Sequence, residues 1–221
     1  MRFVPVEGTD VYFSIWETRV QDYATFAKET GHEVEEIYFP QDGIHPVAGA
    51  SWDDAQAFCK WLTDKERRLG ILQDDTRYGL PTDEQWSRAV GLSAEKGSTP
   101  YEREIETNKK RIYPWVGDWP PPSNAGNYAE ELSVDGFEYT SPVGSFQPNK
   151  YGLFDMGGNV SEWCQDRAYD NVDDDRKVLR GNNWMGSDPE YLLSSDRFPL
   201  EPSFRIPYYG FRVVLESESL R

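Results

Sequence analysis

Apolar residues alternate or recur at helical spacing through the first ninety positions, and both rhythms fade afterwards. Residues 3–6 and 11–16 read as short strands around a Gly8-Thr9-Asp10 turn. Thr18 and Gln21 have capping-box spacing, and Val20, Tyr23, Ala24 and Ala27 follow at helical period until Gly31 stops the helix. Ser51 with Asp54 opens a second helix, whose apolar stripe is Ala55, Phe58, Cys59 and Leu62. Thr82 with Gln85 opens a third, shorter one carrying Trp86, Ala89 and Val90. The pattern predicts no helix beyond residue 92.

From Gly91 the texture changes. Residues 93–112 are polar and read as an exposed insertion. Residues 113–127 hold Trp115, Trp119 and three consecutive prolines, and the two tryptophans read as plugs beneath loops. Gly, Asn and Asp then recur every few positions, until residues 210–215 (Gly-Phe-Arg-Val-Val-Leu) read as one closing strand. No repeat or linker divides the chain. It is expected to form a single α+β domain over residues 1–221, with two long helices, one short helix and much irregular loop. Loops this long in a compact domain are usually functional or held by something.

Composition sharpens this picture in three ways. Gly and Pro number 18 and 15, which favours a loop-rich fold, while 14% aromatics rule out general disorder. The formal net charge of −16 leaves little from which to build a basic face for nucleic acid, and it disfavours anionic membranes. It suits divalent cations and basic partners instead. No apolar run approaches the roughly 20 residues of a membrane span, and the start has no signal-peptide core. With only Cys59 and Cys164, far apart, a cytoplasmic setting with reduced thiols is expected. Both cysteines read as core residues, and Asp173-Asp174-Asp175 reads as a solvated loop rather than a metal cluster.

Six segments in order carry a family resemblance. They run from His45 to Trp52, from Tyr78 to Trp86, from Tyr113 to Trp115, from Asn149 to Trp163, from Val178 to Gly181 and from Gly210 to Val214. The fourth, Asn-Lys-Tyr-Gly-Leu-Phe-Asp-Met-Gly-Gly-Asn-Val-Ser-Glu-Trp, is the most specific. Together they resemble the formylglycine-generating enzyme family, the sulfatase-modifying-factor domains, over nearly the whole chain. The resemblance implies an α+β, C-type-lectin-like fold with a small antiparallel sheet, two main helices and extensive loops.

It also implies what to look for. Enzymes of the family oxidise a substrate cysteine with copper held by two cysteines. The first lies six residues after the Arg of an Arg-Gly-Gly-Ser motif, and the second five further on. Here the motif reads Arg180-Gly181-Asn182-Asn183, and those two positions hold Gly186 and Tyr191. Copper(I) needs soft thiolates, so no copper site is expected. A second enzymatic branch uses iron on three histidines, whereas this chain has only His32, which reads as exposed, and His45. The alternative of an iron-dependent or otherwise atypical oxidoreductase therefore lacks an obvious ligand set.

A third branch binds rather than catalyses, and includes the variable proteins of diversity-generating retroelements. Its C-terminal region faces a ligand, and residues 180–215 here resemble that region. The side chains expected to face the ligand are Met185, Tyr191, Phe198, Leu200, Phe204, Ile206 and Tyr208. The resemblance thus favours a non-catalytic bacterial domain that binds a protein or other ligand, with no nucleic acid or membrane partner, and it is compatible with a place in a larger multidomain protein. It also implies structural calcium in two sets. One is Asp155, Gly158, Val160 and Glu162; the other is Asn127, Tyr128, Asp135 and Phe137. Calcium takes about six to eight oxygens, which two carboxylates around a glycine turn can begin to supply.

Overall fold

The computed structural model describes residues 1–217. Two four-stranded sheets carry the fold. The first has the order β1 (Phe3–Pro5), β2 (Val11–Ser14), β8 (Val214–Ser217) and β3 (Thr76–Gly79), with every pair antiparallel. The second has the order β6 (Phe198–Leu200), β5 (Lys177–Arg180), β4 (Ser161–Arg167) and β7 (Tyr209–Gly210). Its β4–β7 pair is parallel. The expected single antiparallel sheet is therefore two sheets, one of them mixed.

The closing segment explains the division. Residues 210–215 do not form one strand. Tyr209 and Gly210 pair with Ser161 and Glu162 in the second sheet, and Val214 begins the pairing with β2 and β3 in the first. Phe211, Arg212 and Val213 cross between the sheets, each fully buried. Phe211 packs in a cluster with Phe58, Trp163 and Leu179, while Val214 packs in another with Phe13, Trp86 and Cys164. Cys59 and Cys164 are free and buried among these clusters, as expected.

Helices α1 (Val20–Thr30), α2 (Trp52–Arg68) and α3 (Asp83–Val90) precede residue 92 as anticipated. Ser51 and Asp54 form a reciprocal capping box at α2, and Thr82 and Gln85 form one at α3. Gly31 ends α1 in the left-handed conformation at φ 71°. The start of α1 differs from expectation. Thr18 does not cap it; Arg19 is the N-cap, without a side-chain hydrogen bond. Thr18 is buried, its N–H donates to Phe211 and its carbonyl accepts from Val47, so its backbone belongs to the core and not to the helix end.

The segment 93–112 also departs from expectation. It contains a fourth helix, α4 (Pro100–Thr107), with its own Thr99–Glu102 capping box. The absence of a long apolar stripe hides this helix in the sequence, because it is largely exposed. It is nevertheless tied down. Arg103 reaches Asp83 at 2.7 Å, and Glu95 meets Arg197 at 2.6 Å with both side chains buried. Residues 113–160 are irregular and are packed by aromatics. Tyr113 stacks on Trp115 at 4.6 Å between ring centroids, and Trp115 meets Tyr128 edge-on. The two tryptophans fill space under the loops as anticipated. Among the described residues no helix is long and apolar enough to cross a membrane.

Candidate binding pocket and buried charge centres

The C-terminal region folds around a pocket of about 450 Å3. Strands β4, β5, β6 and β7 each contribute to it, through Ser161, Leu179, Phe198 and Tyr209. The loop from Asn182 to Tyr191 lines it as well. Four of the seven side chains expected to face a ligand line it: Met185, Tyr191, Phe198 and Tyr208. Met185, Tyr191 and Phe198 are exposed, and Tyr208 is half-buried against Tyr209. Leu200, Phe204 and Ile206 lie outside the pocket. Phe204 is exposed, whereas Leu200 and Ile206 are half-buried against the main core. Four of the seven residues therefore converge on this pocket and three do not.

Sequence reasoning missed Asn182 and Asp196, which also line the pocket. Asn182 sits at φ 57°, a left-handed position. Its carboxamide accepts from the Asn183 N–H at 2.7 Å and donates to the Tyr191 carbonyl at 2.8 Å, bracing the loop. A Cβ at Gly186 would run into that Asn182 oxygen and the Leu192 side chain. A thiol at position 186 would therefore require both to move. The visible signal was the departure from Gly-Gly-Ser at Asn182. No local pattern marked Asp196.

Beneath the pocket, Asp83 forms the centre of a charge network. Arg180 and Arg197 both pair with its carboxylate, Arg197 at 2.8 and 3.0 Å. Burial works against the charged form of Asp83, but Arg180 and Arg197 overcome it and bring its pKa down to about 2. A second charge centre lies in the first turn of α2. Arg205 clamps Asp54 with two bonds of 2.7 Å, and His32 meets the same carboxylate at 2.7 Å. His32 is therefore half-buried and engaged, not exposed.

The two sets suggested for calcium meet at one place: the Asn127 carbonyl accepts from the Asn159 N–H at 2.9 Å, and a Cβ at Gly158 would collide with that carbonyl. In the first set, Asp155 Oδ2 accepts from the Gly144 N–H at 2.7 Å, while Oδ1 is buried without a partner. Burial pushes the Asp155 carboxyl up to about 6, against the pull of the Gly144 amide and Arg212. Glu162 is different. Arg212 spans both its oxygens at 2.7–3.0 Å, and Trp86 Nε1 donates at 2.9 Å. Buried Glu17 completes this centre, its pKa raised by burial and then by Asp155 and Glu162. In the second set, Asp135 accepts from the N–H groups of Tyr128 and Phe137 at 3.0 and 2.9 Å. Asn127 Oδ1 is buried without a partner. The unpartnered oxygens of Asp155 and Asn127 fit a hard, oxygen-seeking cation; Glu162 is already neutralised by Arg212. Among the described residues, no group of three or more His, Cys, Asp or Glu side chains is arranged to hold a metal.

This fold and its landmarks have relatives. Residues 4–217 match the sulfatase-modifying factor enzyme 1-like domain, and the chain belongs to that family. It is similar to the inactive C-alpha-formylglycine-generating enzyme 2 of Bos taurus, 35% identical over 141 residues, covering 63% of this chain and 38% of that protein. It is also similar to the formylglycine-generating enzyme of Thermomonospora curvata, 31% identical over 123 residues, covering 55% and 33%. The matched region thus spans about a third of these relatives' length. Among solved structures, PvdO from Pseudomonas aeruginosa superposes with a TM-score of 0.67 at 22% identity, covering 93% of this chain and 80% of that one. Treponema denticola variable protein 1 gives 0.60 at 20% identity, covering 97% and 91%. The fold is therefore the α+β, C-type-lectin-like architecture that the motifs implied.

Proposed function

We propose that this chain is a non-catalytic binding domain of its family, which presents the pocket between residues 182 and 209 to a ligand or protein partner. The observation that carries this reading is the state of the two thiolate positions. Gly186 and Tyr191 supply no sulfur, and the carboxamide of Asn182 with the side chain of Leu192 stands where a side chain at position 186 would go. The same wall offers exposed Met185, Tyr191 and Phe198, the kind of apolar and aromatic surface that marks interaction sites. Similarity to a relative named as inactive supports it further. Structural calcium at Asp155 and Asn127 belongs to the proposal, supported by their buried unpartnered oxygens. A reducing, cytoplasmic setting does too, supported by two free buried thiols. The test is to incubate the protein with copper, oxygen and a cysteine-containing sulfatase peptide, then to weigh the peptide by mass spectrometry. The thiol is expected to persist; multiple-turnover conversion to formylglycine overturns the reading.

A further inference from the structure

Asp196 stands apart from every other acidic residue near the pocket. Its main chain is fixed, since the Arg180 Nε donates to its carbonyl at 3.0 Å. Its side chain lines the pocket, half-buried, and among the described residues it takes part in no hydrogen bond or ion pair. The two guanidiniums that act on its charge are committed elsewhere. Arg180 is held by Asp83 and the Ser194 carbonyl, and Arg197 by Asp83 and Glu95. Asp188 also lines the pocket, one oxygen accepting from the Glu190 N–H. Among the described residues, no lysine, arginine or histidine lines it. The remaining wall is rich in aromatic side chains, with Phe198 and Tyr208 both against Tyr209 at 6.3 and 4.9 Å between centroids, and Tyr191 in the same lining.

An unpaired carboxylate and aromatic faces around one cavity are complementary to a single chemistry. A cation there gains a charge-assisted partner and the negative face of the rings, in a site partly screened from water. We infer that the pocket takes an organic cation, an ammonium or guanidinium on a short apolar stem, with Asp196 as its counter-charge and Tyr191, Phe198 and Tyr208 around the stem. A volume of about 450 Å3 suits one such group and is within the range of small-ligand sites. The net charge of −16 draws cations toward the protein. Burial raises the Asp196 carboxyl to about 7, with Glu104 and Asp188 acting in the same direction and Arg180 and Arg197 opposing. A bound cation reverses that balance and expels the proton.

The inference rests on the binding reading above, and the two fail separately. The probe is benzamidine, set against neutral benzamide of nearly the same shape, in calorimetry with the intact chain. Benzamidine is expected to bind at least about tenfold more tightly. Its affinity is expected to rise as the pH passes through about 7. Asp196→Asn should remove the preference for charge without lowering the melting temperature, and Tyr191→Ala should weaken benzamidine several-fold. A blocked Ala-Ala-Arg-Ala-Ala peptide and its citrulline counterpart form the second arm. Tighter binding of the arginine peptide than of benzamidine identifies a protein side chain as the source, and the reverse identifies a free small molecule. Equal affinity for charged and neutral probes, no binding of either cation at millimolar concentration, or full binding by Asp196→Asn overturns the inference. None of these results bears on cysteine oxidation, which is the test of the non-catalytic reading.

Discussion

Arg212 holds Glu162 across both carboxylate oxygens, fifty residues away in sequence and at the crossing between the two sheets. The same guanidinium donates to the carbonyls of Ser14, Ile15 and Phe154, so it closes backbone valences on β2 and on the loop before β4. Both side chains are buried. Removing one partner of a buried pair strands the other, at about 3–5 kcal/mol. Arg212→Met should cost more than Glu162→Gln, because it also removes a donor from three carbonyls, while a glutamine can still accept from Trp86. Urea denaturation of both variants checks the order. Equal small losses would mean the pair is solvated.

The Asp83 network should separate global from local stability. Asp83→Asn leaves Arg180 and Arg197 buried without their main counter-charge, and a loss on the order of 3 kcal/mol is expected. Arg103→Ala removes the outer bond from α4 to Asp83, together with two local bonds to the Gly97 and Ser98 carbonyls. It should change the melting temperature little but speed amide exchange across residues 100–107. Uniform exchange in that variant and the wild type would mean that Arg103 does not hold α4.

The pH dependence has two opposed parts. In Asp54, burial favours the neutral form, but hydrogen bonds from Arg205 and Ser51 bring the pKa down to about 2. Asp83 is likewise brought down to about 2. Their contribution is present above about pH 4, the unfolded carboxylate value, and is lost as pH falls toward 2. Asp196, raised to about 7 by burial, has the other sign: the folded state holds the extra proton, and stability falls as pH rises from about 4 to about 7. Buried Glu17 acts in the same sense as Asp196. Melting curves should therefore peak in mildly acidic buffer, and Asp196→Asn should flatten the neutral side. An Asp196→Asn profile parallel to wild type would place that proton elsewhere.

Calcium should stabilise by mass action. An ion that binds only the folded state adds about 2.7 kcal/mol at a hundredfold excess over its dissociation constant. Adding a chelator should lower the melting temperature of the wild type. Asp155→Ala, which removes the unpartnered oxygen, should make the protein insensitive to chelator. Indifference of the wild type would make residues 155–162 an ordinary turn.

What could be read directly from the sequence was whatever is satisfied within a few residues or repeated as a family landmark. Ser51 and Asp54 cap each other across three positions, as do Thr82 and Gln85, and Gly31 ends its helix by its own backbone freedom. The motif from Asn149 to Trp163 likewise identifies the family by local spelling. The tertiary structure decided the rest, because long-range partners redirect local preferences. Thr18 has a capping spacing but is drawn into backbone bonds with Phe211 and Val47. Residues 210–215 look like one strand but divide between two sheets, since Gly210 pairs with Glu162 and Val214 with Phe13 and Gly79. Four of the seven expected ligand-facing residues converge on the pocket, and Leu200 and Ile206 turn toward the core. Asp196 acquires its significance only because folding commits Arg180 and Arg197 to Asp83 and leaves its own charge unmatched.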